Sequence, residues 1–299
     1  MGCSTWSQTT MPPTPRTRPL VSVATTQTAP TALRADRAVK IDPENLPEGD
    51  DKRAAVRSLF DRIAGRYDLV NRVITFGLDV RWRRRAVSAL DLSAGSIVLD
   101  LACGTGDLCR ETSRVGMVPI GVDLSMGMLI AARTDAPLLH GDVLALPVQE
   151  GAVDGAVCGF ALRNLVELPG FFEELARVIR PGGRISLLDA AEPENKLLRR
   201  GHRIYFQKIV PRIGGLLSDR AAYRYLPKSL AYMPAWTELK QQLQTAGFVD
   251  IERRVFLGAH LITATRGGLE AERIVSLTAA STRGRGPSGP VSVANKSGS

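Results

Sequence analysis

The stretch Ile97-Val98-Leu99-Asp100-Leu101-Ala102-Cys103-Gly104-Thr105-Gly106-Asp107 decides how this chain folds. Its opening half is a short apolar run, the pattern of a strand buried on both faces of a parallel sheet. Gly104 and Gly106 close the strand, and a helix is predicted from Asp107 to Arg114. Without side chains at 104 and 106, the backbone can turn tightly and let a ligand approach closely.

Outward from this unit, strand and helix signals keep alternating. Further strands are predicted over 118–123, 138–142, 153–162 and 184–190. Helices are predicted over 125–133, with Ser125 as N-cap, and over 171–179, before the stop signal Arg180-Pro181-Gly182-Gly183. Helical stretches at 196–210 and 235–246 precede two closing strands, 250–257 and 260–266, joined by a turn at Gly258-Ala259. The expected fold is α/β: a doubly wound, seven-stranded Rossmann-like sheet with helices on both faces and its last strand antiparallel.

Residues 1–50 are rich in Thr, Pro, Ser and Ala without apolar periodicity, and read as a disordered extension. Residues 267–299 read as a second disordered tail. The domain between them, 51–266, would open with a helical lid over 51–92 and carry a substrate-side helical insertion over 196–246. No apolar run reaches the roughly 18 residues a spanning helix needs. The cysteines at 3, 103, 109 and 158 form no C-x-x-C pair, and the three histidines are scattered, which argues against zinc or thiol-redox chemistry. Reduced thiols in a cytoplasmic protein are expected.

The net charge is +9, and the excess lies in the middle of the chain, because residues 1–50 carry as many acidic as basic groups. Such a surface attracts nucleic acid, anionic lipid or acidic metabolites. An RNA-binding protein is therefore one class of reading. Against it, the chain has no recognisable nucleic-acid module, and its arginine clusters lack stacking aromatics apart from Trp82. No nucleic-acid partner is expected.

The acids around the glycine loop point elsewhere. The third glycine of a dinucleotide fingerprint is replaced by Cys109, and Asp100 and Asp107 flank the loop. Carboxylates there repel a pyrophosphate and attract a cation. S-adenosylmethionine carries a sulfonium and an ammonium and no phosphate, so it is favoured over NAD or ATP. Asp123, closing the second strand, can accept from both hydroxyls of a ribose. Asp142, closing the third, is placed to reach an adenine edge.

With those residues in hand, the motifs LDLACGTGD, GVDLSMGML, GDVLALP and RVIRPGGRI resemble those of class I methyltransferases in order and spacing. Residues 56–266 resemble, more closely, the ubiquinone/menaquinone biosynthesis C-methyltransferase family. The segments carrying that likeness are FDRIAGRYDLVNRVITFGLDVRWRR (60–84), FALRNL (160–165) and AYRYLPKSLAYMP (222–234). The resemblance implies methylation of a ring carbon on a lipid-tailed quinol, at the inner face of the membrane. It also implies cofactor contacts from Thr105, Asp123 and Asp142, with Val143 beside the adenine. Gly159 stands where the family has a contacting Ser. Arg163 would lie at the substrate edge near the proton-removal step, and Arg163 and Asn164, just past the fourth strand, are the candidate catalytic residues, placed to stabilise the developing phenolate. Tyr67, Asp68 and Asn71 would form part of a lid, with Tyr205 and Tyr223 further candidates on the substrate side.

Departures cluster on that side: Asp79 for His, Val70 for Met, Thr75 for Ser, Asp189-Ala190-Ala191 for Glu-x-Ser, and Leu257-Gly258-Ala259-His260 at the closing segment. A methyltransferase of this fold acting on another lipid or secondary metabolite therefore stands beside the quinol reading. Plainer roles stand beside the functional ones. Arg163 could cap a helix or pair with Glu167 four residues on. Tyr67 and Trp82 could simply pack the lid. His202 and His260 read as surface or packing residues, and Cys103 as a small side chain beside the loop. Residues 196–212 combine Lys196, Arg199, Arg200, Arg203, Lys208 and Arg212 with Leu197, Leu198, Ile204, Tyr205 and Ile209. That pattern suits either an anionic membrane surface or an ordinary solvated helix. A homo-oligomer is compatible with all of this.

Overall fold

The computed structural model describes residues 49–268, apart from 194, 220, 221, 224 and 226–228. The expected extension and tail therefore lie almost wholly outside the described residues, as does part of the 222–234 motif. Gly49 and Asp50, read as part of the extension, instead begin a helix.

The chain opens with α1 (Gly49–Ile63), a 3-10 turn, α2 (Tyr67–Ile74) and α3 (Leu78–Ser88). Next come β1 (Ile97–Leu101), α4 (Asp107–Arg114), β2 (Val118–Asp123), α5 (Met126–Ile130), β3 (Leu138–His140) and β4 (Val153–Gly159). These are followed by α6 (Leu168–Val178), β5 (Ile179–Ala190), α7 (Lys196–Ile204) and α8 (Val210–Leu217). The described part closes with α9 (Trp236–Thr245), β6 (Phe248–Phe256) and β7 (Ala259–Arg266). The sheet order is β3-β2-β1-β4-β5-β7-β6, and β7 runs antiparallel to both neighbours. This is the expected doubly wound sheet. The order reverses beside β1, which puts a ligand crevice at its carboxyl end.

Among the described residues, the core is mostly aliphatic and falls into three clusters. One lies between the sheet and α6 and α9, around Leu99, Phe171, Leu175 and Ile262. A second, on the other face, packs Trp82, Leu90, Leu108 and Leu188. The third, with Leu59, Val70, Val210 and Tyr223, joins α1 and α2 to α8, so the lid has a core of its own.

Three local differences from the sequence reading have physical causes. β4 ends at Gly159 rather than continuing to 162, because Phe160 turns the chain with φ +62. β5 starts at Ile179, directly after α6. Ile179 pairs with Val153, and a register shift takes up the Pro-Gly-Gly segment. The predicted helix over 196–210 is interrupted by a π turn at Tyr205–Ile209. Pro211 follows it and has no N–H to continue the ladder.

Candidate active site

Two adjoining cavities open at the carboxyl ends of the strands. The first lies over the β1 loop and beneath α1. In that loop Ala102, Gly104 and Gly106 all have positive φ. A Cβ at Gly104 would meet nothing nearer than the Met128 Sδ, 4.0 Å away, so this position opens into the cavity. A Cβ at Gly106 would lie 2.6 Å from the Thr134 Cγ2, so glycine there serves packing.

Asp123 holds the loop. Its carboxylate accepts from the Gly104 and Ser125 N–H groups, each at 2.7 Å. Ser125 caps α5 through the Met128 N–H at 3.1 Å. Asp100 accepts from the Cys109 N–H at 2.9 Å, but its Oδ1 is buried and unpartnered. Burial pushes the Asp100 carboxyl up to about 7, and the nearby Asp123 adds to the effect. Burial also raises Asp123 itself. Asp142 lies just past the end of β3, and Val143 lines the wall beside it. One Asp142 oxygen takes the Leu144 N–H at 3.0 Å and the other pairs with Arg53 of α1. Gly159 lines the same cavity, where a Cβ would lie 2.8 Å from the Leu108 Cδ1.

The lid is tied down at several points. The Thr105 hydroxyl donates to Asp68 at 2.6 Å, and Asp61 accepts from the Ser125 hydroxyl at 2.6 Å and the Gly127 N–H at 2.9 Å. Thr105, expected to face the cofactor, thus also anchors α2.

The second cavity lies between the lid, α7 and the β6–β7 turn. Tyr67, Arg83 and Phe160 line both cavities and mark their junction. Burial pushes the Tyr67 phenol up, against the pull of Arg83, a hydrogen bond from Asn71 and the charge of Arg163. Arg163 is buried in the wall. Its side chain pairs with Asp189 and donates to the Ser229 hydroxyl at 3.0 Å. The alternative pairing with Glu167 does not occur, since Glu167 instead caps α6 through the Gly170 N–H. Asn164 lines the first cavity, not the second, and accepts from the Tyr225 hydroxyl at 3.3 Å. The Tyr205 hydroxyl donates to the Ile74 carbonyl at 2.8 Å, and its ring lines the second cavity with Asn71.

Tyr223, a substrate-side candidate from the sequence, borders neither cavity. It packs in the lid core against Gly214, where a Cβ would lie 2.0 Å from its ring.

Two residues were passed over in the sequence. Arg83 sits in a run with Arg81, Arg84 and Arg85, which are exposed, yet it is only 6% exposed itself. It pairs with Asp79 at 2.5 Å and Asp107 at 3.4 Å. The available signal was Asp79 one helical turn earlier. Asp79 also accepts from the Thr75 hydroxyl at 2.9 Å, so two of the family departures form a single contact. His202, read as a surface or packing residue, lines the second cavity, stacked 4.3 Å from the Phe206 ring with its Nε2 unpartnered. Burial lowers its imidazole. No signal in one sequence marks it. His260 is buried on β7 and accepts from Arg253 at 3.1 Å, and burial lowers it to about 4.

The first cavity suits S-adenosylmethionine. It offers a buried carboxylate with a free lone pair, a second carboxylate at the tip of β2 and a side-chain-free approach at Gly104. Among the described residues, no His/Cys/Asp/Glu cluster could hold a metal. No described helix is long and apolar enough to cross a membrane.

Sequence relatives agree with this chemistry. Over 211 residues the chain is 41% identical to the ubiquinone/menaquinone biosynthesis C-methyltransferase UbiE of Syntrophotalea carbinolica, covering 68% of this chain and 89% of that one. It is 41% identical over 200 residues to the demethylmenaquinone methyltransferase of Thermus thermophilus, covering 64% and 91%. A solved S-adenosylmethionine-dependent methyltransferase from Aquifex aeolicus superposes with a TM-score of 0.45 at 19% identity, over 62% of this chain and 89% of that one. Residues 48–266 match the ubiE/COQ5 methyltransferase family, to which the chain belongs as an S-adenosylmethionine-dependent methyltransferase.

Proposed function

We propose that this enzyme methylates a ring carbon of a prenylated quinol, demethylmenaquinol or a related benzoquinol, at the inner face of the membrane. The observation carrying this reading is Arg163. It is a buried cation held by Asp189 in the wall of the second cavity, next to the acid-lined one. The relatives named as quinone-biosynthesis methyltransferases support it.

S-adenosylmethionine, when bound, supplies a methyl group activated by its sulfonium. The protein contributes alignment, charge and exclusion of water. Holding the ring carbon in line with the methyl group supplies several kcal/mol, up to roughly 7–11 in ideal cases. A quinol becomes nucleophilic at carbon as its hydroxyl proton leaves. Arg163 stabilises the phenolate that develops. It is not itself the base, because a guanidinium stays protonated. Asn164, at the edge of the first cavity, orients the strand-end loop through Tyr225 and Phe160. Tyr67 and Asn71 close the cavities from the lid side.

A lipid tail must enter from somewhere, and the mouth of the second cavity is apolar. Phe76 and Leu197 are each 79% exposed there, beside Leu198 and Leu257. Arg199, Arg200 and Arg203 lie on the same helix, α7. Apolar anchors among basic groups favour an anionic lipid surface.

The test incubates the full chain with S-adenosylmethionine and a reduced demethylquinol. A product heavier by one methyl group is expected. Cofactor binding without transfer to any quinol would favour another lipid or secondary metabolite as acceptor, a reading that the Asp79–Thr75 contact in the cavity wall motivates.

A further inference from the structure

We propose that Arg83 is the anchor for the α-carboxylate of S-adenosylmethionine, held ready for it by Asp79 and Asp107. The cofactor poses a charge problem for this cavity. The cofactor's amino-acid arm carries an ammonium and a carboxylate. The acids of the first cavity suit the ammonium and the sulfonium, but they repel the carboxylate. A carboxylate brought in among Asp100 and Asp123 needs a cation beside it, and a guanidinium is well suited, since it can donate two parallel hydrogen bonds.

Among the described residues, three arginines line the first cavity: Arg53, Arg57 and Arg83. Covalent structure narrows the choice. The arm, the adenosyl group and the methyl group share one sulfur. The methyl must face the acceptor, so the sulfur sits at the junction of the two cavities and the arm lies within a few bonds of it. Arg83 lines both cavities and therefore stands at that junction. Arg53 is committed to Asp142 beyond β3, and Arg53 and Arg57 both border the first cavity alone.

Arg83 is also built to stay in place. It projects from α3 and is 6% exposed, and Asp79 and Asp107 hold its two terminal nitrogens. Thr75 in turn fixes Asp79. The Phe160 ring lies under the guanidinium, 5.2 Å from its carbon. Its charge also reaches Asp100, whose unpartnered oxygen suits the ammonium of the same arm. A guanidinium and a carboxylate thus stand ready for the two ends of one zwitterion.

The inference rests on the cofactor cavity, not on which acceptor is methylated, so failure of quinol methylation leaves it standing. The test compares S-adenosylmethionine with its decarboxylated analogue, which keeps both cations and lacks only the carboxylate. Calorimetry on the full chain should show the parent cofactor binding about ten- to a hundredfold more tightly, the worth of one charge-assisted contact. In Arg83→Gln that preference should collapse, with the analogue's affinity little changed. The analogue's binding reports that the variant is folded. Arg83→Lys keeps the charge and should keep part of the preference. A preference that survives in Arg83→Gln, or collapses in Arg57→Gln instead, would overturn the assignment. So would a wild-type protein that binds both compounds equally.

Discussion

The Thr105 hydroxyl donates to the Asp68 carboxylate at 2.6 Å, joining the cofactor loop to a lid helix. The same loop that receives the ligand therefore also holds the cover. Removing the bond with Asp68→Ala should leave the sheet intact and loosen α2. The net value of such a bond to a charged group is about 1.5–3 kcal/mol. Cofactor affinity should fall by about tenfold or more, with faster amide exchange over 67–74. An unchanged dissociation rate would show that the lid closes without this tie.

Binding of the cofactor should depend on pH. In the empty enzyme the Asp100 carboxyl titrates near 7, raised by burial above its ordinary 3.8. A cationic ligand favours the ionised form, so its pKa falls on binding and a proton is released. Affinity should then rise as pH increases towards about 7 and level off above it. For the empty protein the raised pKa works against the fold as pH rises. Between about 4 and 7 the folded state binds more protons than the unfolded one, so stability declines across that window. Calorimetry in two buffers of different ionisation enthalpy measures the released proton, and Asp100→Asn should abolish it. A pH slope unaffected by that substitution would assign the proton to another group, such as Asp123.

Arg163 and Asp189 form a buried ion pair across the ends of β4 and β5. Asp189→Ala leaves the arginine charged, buried and without its main partner. A loss of about 3–5 kcal/mol of stability is expected from breaking such a pair. Asp189→Asn, which keeps a hydrogen-bond acceptor, should lose less stability. In that milder variant turnover should drop while cofactor affinity holds, because Asp189 does not line the first cavity. Equal losses in both would mean that Asp189 acts on the whole site.

Membrane contact can be tested at the mouth of the second cavity. The double variant Phe76→Ser, Leu197→Ser changes two side chains that are each 79% exposed, so stability should hardly move. Co-sedimentation with vesicles containing anionic lipid should fall several-fold. The KM for a long-tailed quinol should rise, while that for a short-tailed one stays near the original. Unchanged sedimentation would mean that the basic and apolar face of α7 is simply solvated.

The fold was legible because its signals are local and repeated. Asp100, Gly104, Gly106 and Asp123 fall at strand ends, where alternation alone places them. The lid was less so. Asp79, four residues earlier, marks Arg83 among Arg81, Arg84 and Arg85 as able to pair, but its burial is decided by what packs against the helix. His202 reaches its cavity through the docking of α7, and Tyr223 is withdrawn from the site by its fit against Gly214. Both outcomes depend on contacts between segments far apart in sequence. Arg163 lies in the wall of the second cavity, and the plainer alternative of a pair with Glu167 is not formed. Glu167 was the near choice by helical spacing, whereas Asp189 comes from the neighbouring strand.

The two loop glycines should respond differently to the same change. Gly106→Ala places a methyl group 2.6 Å from the Thr134 side chain at a φ of +82. Backbone strain of this kind costs about 1–3 kcal/mol before the clash is counted. The melting temperature should drop clearly, with cofactor affinity following only as far as the fold is lost. Gly104→Ala meets open space, with its nearest neighbour 4.0 Å away and φ at +55. Its cost to the fold should be smaller, but the new methyl group protrudes where the cofactor must approach the backbone. Here affinity should fall with only a modest change in melting temperature. Thermal scans with and without S-adenosylmethionine separate the two cases, since a bound ligand raises the melting temperature by an amount that grows with the logarithm of its affinity. If Gly104→Ala kept the full ligand-induced shift, the cofactor would not lie against that loop.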